Sequence, residues 1–281
     1  MKPPSSSNRL AELRAKLDSI DDQILELFAQ RAGIVSLVAS EGGKVGVKIR
    51  PGREADILRR LLGQLTGNFP RQAVVRIWRE VFAAALIIEG GQKLSVLAGP
   101  GGENRLALAR EHFGPLTPVR HHAQLQDTLD DLLNERAQVA VLPDLSERQE
   151  AWWPAQLTQG TRRLYVIGKI PFWAPRAEGL PTGQAYLVAT VPPDASRHDH
   201  SLIGVSAAKP LGPAEVQMAM LRAGFQPTQI WVAPPTSPPG LCAVAEIPGF
   251  ITTAPVTGPD GQPLDVTLSV LGGFAVPVGE A

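Results

Sequence analysis

Apolar residues near the start of the chain recur at steps of three and four: Leu10, Leu13, Leu17, Ile20, Ile24 and Leu27, resuming at Ile34 and Val38. That period draws one stripe along a long helix and predicts that the stripe packs against other helices. Continuing the rhythm places Arg31 on the stripe, between Leu27 and Ile34. A guanidinium stays protonated, so on a buried face it requires an anion. No acidic residue of that face is close enough to serve, which leaves a bound carboxylate. Arg14 flanks the same stripe about four and a half turns earlier, too far to share a small ligand with Arg31 on one straight helix.

A second helix is predicted after Arg50-Pro51-Gly52, with Arg53 and Glu54 in its first turn and Ile57, Leu58, Leu61, Leu62 and Leu65 as its apolar face. A third runs from about residue 70 to 89, led by Val74, Trp78, Val81 and Ala85, and closes on Glu89. Cations at core-facing positions of different helices describe a bundle built around a small anion. Each charge also has a plainer reading. Arginines are mostly exposed and can snorkel away from a seam, and a glutamate in a first turn is favoured by the helix dipole.

The spacing of these unlike elements resembles the all-helical class of chorismate mutases over residues 10–92. The residues that carry the resemblance are Leu13-Arg14-x-Lys16 with Ile20-Asp21, then Leu27-x-x-x-Arg31, then Arg53-Glu54-x-x-Ile57-Leu58. The resemblance implies an intertwined dimeric helical bundle in which Arg14 reaches the partner chain's site. It also implies rearrangement of chorismate to prephenate in one pericyclic step, with no cofactor, metal or nucleophile. Arg14 and Arg31 would hold the two carboxylates, Arg53 would assist, and Glu54 would accept the substrate hydroxyl. Arginine forks suit that task, because they bind carboxylates bidentately and stay charged. Holding the substrate folded lowers the entropic part of the barrier, and donors aimed at the ether oxygen lower it further.

The departures are specific. A lysine expected eleven residues after Arg31 is replaced by Gly42, leaving Lys44 as the expected substitute and Lys48 as a weaker one. Arg50 stands where the family often has aspartate. Ala85 and Glu89 stand where serine and glutamine are typical. A carboxyl at position 89 donates to an ether oxygen only when protonated, whereas an amide always can.

At Gly90-Gly91-Gln92 the composition changes, prolines multiply and short β-type runs begin. Strands are predicted at 93–98, 138–142, 164–168 and 185–191 and helices at 103–112 and 123–135, which reads as an α/β domain with a largely parallel sheet. The leading strand, Gly99-Pro100-x-Gly102 and Pro143 weakly resemble the prephenate dehydratase domain. That domain's catalytic Thr-Arg-Phe aligns with Gln184-Ala185-Tyr186, so the region is read as a non-dehydratase relative. The glycine turn reads as a tight structural turn.

Further strands at 202–206, 229–233, 241–247 and 266–271 surround a helix at 214–223. Lys209-Pro210-Leu211-Gly212 and Glu246-x-Pro248-Gly249 faintly resemble the amino-acid-sensing ACT domain. The expected fold class is therefore α followed by α/β. A helical mutase bundle spans 1–92, a degenerate dehydratase-like α/β domain 93–200, and an ACT-like α+β segment 201–281.

Charge narrows the partners. Lys plus Arg and Asp plus Glu both number 27, which argues against nucleic acid and against an anionic membrane. The single cysteine, Cys242, excludes an internal disulfide and reads as a core residue. The opening residues lack a hydrophobic region and no apolar run spans a bilayer, so a soluble cytoplasmic protein is expected. His121-His122 and His198-Asp199-His200 read as loop residues without metal spacing. Asp127, Asp130 and Asp131 read as a solvated helix face, and residues 234–239 as an extended proline-rich loop.

The sequence thus reads as a homodimeric chorismate mutase acting on chorismate without a cofactor, with a second domain for stability, assembly or sensing. A non-catalytic binding or regulatory protein that keeps the mutase fold, or a bifunctional mutase–dehydratase, are the rival readings.

Overall fold

Three helices open the chain: α1 (Ser6–Gly42), α2 (Pro51–Gln64) and α3 (Arg71–Ile88). The structure is a computed structural model that describes residues 6–42, 47–99, 102–146, 152–153, 163–234 and 241–279. Lys44 and residues 235–239 lie outside these, as do Pro100 and Gly101. Pro51 opens α2, where its fixed φ and missing N–H cost nothing. The orphan N–H groups of Gly52 and Arg53 each donate to the Asp194 carboxylate at 3.0 Å, so a distant loop caps the helix. Gly52 is required there, because a Cβ would stand 2.4 Å from the Asp194 carbonyl oxygen.

The three helices have different fates. The α1 stripe is uncovered in the single chain, with Leu13 at 50% and Leu17 at 60% exposure. By contrast, Ala55, Leu58 and Leu62 of α2 and Val74, Val75 and Phe82 of α3 share a buried core with Phe172, Trp173 and Ala275 of the following region. The helical pair is therefore seated on the α/β part.

That part is built on the strands β1 (Leu94–Leu97), β2 (Val119–His122), β3 (Val139–Pro143), β4 (Tyr165–Ile170), β6 (Ala185–Ala189), β7 (Asp199–Ser206), β8 (Gln229–Val232), β9 (Leu241–Pro248) and β10 (Thr267–Ala275). Among the described residues they form one sheet in the order β2-β1-β3-β6-β4-β10-β7-β9-β8. A small second sheet pairs β5 (Trp173–Ala174) with β11 (Val278–Gly279). Helices α4 (Glu103–Phe113), α5 (Leu125–Leu133) and α6 (Pro213–Arg222) complete the described elements.

The sheet corrects the expectation of largely parallel strands. Only β1 with β2, β1 with β3, and β4 with β10 run parallel; the other pairs of this sheet are antiparallel. Parallel neighbours need a crossover, and α4 and α5 supply one only within the first three strands. Strand β10 joins β4 on one side and β7 on the other, so the strands after residue 200 continue the same sheet. At that junction Gly272 has φ 133° and lies so close to β4 that a Cβ would meet the Val166 carbonyl oxygen at 2.0 Å.

Four local expectations are corrected. His121 and His122 belong to β2, and Asp199 and His200 open β7. Cys242 is half-buried, with Sγ 3.7 Å from the carbonyl oxygens of Ala207 and Lys209. Asp131 is buried, not solvated, because the inner side of α5 lies on β1 and β2. It accepts hydrogen bonds at 2.7 Å from Arg120 and Arg136, lies 2.7 Å from His122 Nε2, and is reached by the Ser95 hydroxyl at 3.3 Å. Burial opposes its ionisation, but the bonds from Arg136, His122 and Arg120 outweigh that and hold the carboxyl well below its ordinary range.

Candidate functional site

Arg14 and Arg31 both lie on α1, beside apolar side chains of the stripe that the described residues leave largely exposed. Arg31 is half-buried and makes no hydrogen bond or ion pair among the described residues. Partial desolvation lowers its pKa from the ordinary value, yet a guanidinium so placed stays charged. With no partner among the described residues, this half-buried cation on an apolar stripe leaves room for the anion expected from the sequence.

Arg53 and Glu54, expected to work together, address different surroundings. Glu54 is buried and its Oε2 holds Arg79 of α3 at 2.7 Å. Burial, reinforced by Asp194, raises the Glu54 carboxyl to about 7 even though Arg79 and the Arg50 backbone favour its ionised form. Arg79 is itself buried, lies 3.3 Å from His112 Nε2 and stacks over Phe82 and Phe172 at 5.8 and 5.2 Å. Burial first, and Arg79 second, push the His112 pKa well below its ordinary value, so the imidazole is neutral. Arg53 instead is exposed and lines a cleft with Arg60, Arg197 and His198.

At the far end of α3, the Lys48 ammonium donates to the carbonyl oxygen of Glu89, and the Ile49 N–H donates to Gln92 Oε1 at 3.2 Å. The strand-like segment before α2 thus crosses the C-terminus of α3, where the helix dipole favours a cation. Lys48, the weaker candidate, is the lysine fixed beside Glu89; Ala85 lies one turn earlier and is half-buried. Sequence reasoning passed over Arg79, His112 and Asp194. The signal for Arg79 was available: it stands between Val75 and Phe82 on an apolar face, as Arg31 does on α1.

Residues 13–90 match the family model of chorismate mutase type II. The match takes in most of the three N-terminal helices and none of the sheet. The chain is 33% identical over 116 residues to a bifunctional chorismate mutase/prephenate dehydratase of Pseudomonas aeruginosa, covering 39% of this chain and 32% of that protein. It is 31% identical over 139 residues to the same kind of protein from Aquifex aeolicus, covering 48% of this chain and 38% of that one. The chain therefore spans about a third of the length of these curated relatives. A solved prephenate dehydratase from Streptococcus mutans superposes with a TM-score of 0.43 at 11% identity, over 66% of this chain and 100% of that chain.

Behind the helical segment, one sheet face gathers a second polar group. Lys169 of β4 places its ammonium 5.3 Å over both Tyr186 and Phe274. His200 Nδ1 lies 2.5 Å from Glu246 Oε1. The Tyr186 hydroxyl and Glu246 Oε2 are buried without a hydrogen-bond partner. Burial, with Asp144 and Glu246 nearby, raises the Tyr186 pKa well above its ordinary value. Gln184 is exposed and Ala185 is a buried methyl in β6, so this strand presents neither a threonine hydroxyl nor a guanidinium. No helix among the described residues is long and apolar enough to cross a membrane, and no group of three or more metal-capable side chains occurs among them.

Proposed function

We propose that this chain is a chorismate mutase that works as a dimer in the cytoplasm, without a cofactor. The observation that carries the reading is the uncovered α1 stripe bearing Arg14 and Arg31, in a domain that matches the mutase family over residues 13–90. A second copy laid along α1 would cover the stripe and bring its own Arg14 to Arg31 of the first. Two guanidinium groups on an apolar wall would then grip the two carboxylates and hold chorismate folded. As the ether bond breaks, negative charge grows on its oxygen, and a fixed cation near Glu89 stabilises it more than the ground state. The hydrogen bond from Lys48 to the Glu89 carbonyl supports Lys48 as the candidate for that role, with Lys44 as a second. In this reading the region after residue 92 does not dehydrate prephenate, because Gln184-Ala185-Tyr186 offers no group to handle the leaving hydroxyl or the carboxylate.

The test is loss of chorismate absorbance on adding the purified full chain, with the product identified as prephenate. Arg31→Ala is expected to lose turnover by about 2–5 kcal/mol of transition-state stabilisation while its circular dichroism is retained. Wild-type turnover in that variant would remove the anion-site argument. The second reading, a binding protein that keeps the mutase fold, is favoured by one observation: the Glu54 carboxylate is occupied by Arg79. No turnover, with chorismate still bound, would select it.

A further inference from the structure

The outer face of α2 carries Arg53, Asp56 and Arg60, spaced so that all three turn toward the loop before β7. Together with Arg59, Arg197 and His198 they line a cleft of about 360 Å³. Four guanidinium groups face one carboxylate. Asp56 lies 3.9 Å from Arg59, the guanidinium that is already engaged. Arg59 donates to the Ser196 carbonyl at 2.7 Å, the Ser196 hydroxyl at 2.9 Å, the His198 carbonyl at 2.9 Å and the Val276 carbonyl at 2.7 Å. It is a strut that clamps the loop to α2.

Arg53 and Arg197 have no acidic partner among the described residues, and Arg60 meets only the neutral Gln64 oxygen at 3.3 Å. Three guanidinium groups without an ion-pair partner among the described residues thus line the cleft beside the single carboxylate of Asp56, and the net positive charge raises its potential and concentrates anions there.

The loop is constructed to hold this arrangement. Asp199 accepts the Ser196 N–H at 2.8 Å and the Ser196 hydroxyl at 2.6 Å. Arg197 is held at φ 64°, a conformation that side chains other than glycine rarely adopt. Backbone strain of this kind persists where the surroundings over-determine it, and here it carries Arg197 and His198 to the rim.

We infer that this cleft is a binding site for a compact organic anion with at least two negative charges. Forked guanidinium groups recognise phosphate oxygens and carboxylates alike, so a phosphate ester and a di- or tricarboxylate share the required chemistry. The site is separate from the α1 stripe. It shares only Arg53 with the residues named for chorismate, and it does not depend on the mutase reading.

The experiment is calorimetric titration of the full chain, without chorismate, using citrate and glucose 6-phosphate as probes at low and high NaCl. One probe is expected to bind saturably at one per chain, more weakly as salt rises. Arg60→Gln combined with Arg197→Gln is expected to weaken it at least about tenfold, while Arg222→Gln, on α6, leaves it unchanged. The probe that binds identifies the phosphate or the carboxylate class. Matching melting curves confirm that the variants fold. Failure of both probes to saturate, or wild-type binding by the double variant, overturns the site. Because the readout is binding, a chain without mutase turnover leaves this result where it stands.

Discussion

Helix α1 and the pair α2–α3 are written in the same amphipathic pattern and end in opposite environments. Leu17 of α1 is 60% exposed, whereas Leu58 of α2 is fully buried. Each region also carries an arginine on its apolar face. On α3 that arginine is sealed by Glu54, His112 and two aromatic rings, and on α1 it meets no partner among the described residues. A buried arginine with an internal partner holds the fold together. An arginine on a bare apolar stripe has no such structural role, and a second chain or a ligand is what the proposed function assigns to it. Periodicity announces that a face will be covered, and the rest of the chain decides by what.

The sharpest way to break that contrast is to charge the stripe. Leu17→Asp combined with Ile24→Asp removes four apolar side chains from a symmetric α1 interface, each worth about 1.5–3 kcal/mol. Sedimentation is expected to show the wild type as a dimer at micromolar concentration and this variant as a monomer. A monomeric wild type would mean that the stripe is not covered by a second copy.

The sealed arginine gives the next effect. Arg79→Met leaves the Glu54 carboxylate buried without its partner, and urea unfolding is expected to show a loss of about 3–5 kcal/mol. Arg31→Met, which breaks no internal pair, is expected to leave the unfolding of the α2–α3 and sheet core nearly unchanged. Equal losses in the two variants would mean that Arg79 holds the fold no more than Arg31 does.

The same pair gives a pH signature. The Glu54 carboxyl titrates near 7 in the folded chain and near 4.5 in the unfolded one, so between those values the folded state keeps a proton that the unfolded state has released. Stability from this group is therefore lost as pH rises from about 4.5 to about 7. His112, depressed by burial and then by the same Arg79, acts in the opposite sense, because it must charge as the chain unfolds below its ordinary pKa. Arg79, Asp194 and Glu111 also contribute to the local field. Glu54→Gln is expected to lower overall stability while removing the falling limb, leaving the rise due to His112. An unchanged profile would show that Glu54 does not titrate in this window.

The smallest effect tests how α2 is held down. Asp194→Ala removes the cap on Gly52 and Arg53 and is expected to cost about 1 kcal/mol, read as a lower unfolding midpoint. A loss confined to α2 and α3 in hydrogen exchange would confirm that the cap anchors the helical pair, with α1 unaffected.

The sequence by itself determined the helical opening, the amphipathic stripe of α1, the anomalous Arg31 and the change of character near residue 90. All of these are local: a period, a charge out of place, a shift in composition. It also placed most strands of the sheet to within a few residues, because buried strands read as short apolar runs. It did not determine the sheet's direction, since pairing depends on which strands lack a crossover. Nor did it show that Asp131 is buried, because an acidic helix face looks solvated until Arg120 and His122 of β2 and Arg136 from beyond α5 converge on it.

Only the tertiary structure decided that Glu54 belongs to Arg79, that Asp194 caps α2 from more than a hundred residues away in the chain, and that Lys48 lies beside Glu89. The physical reason is common to all three. A charge is assigned its role by the partner that desolvates or neutralises it, and those partners are brought together by folding rather than by spacing along the chain.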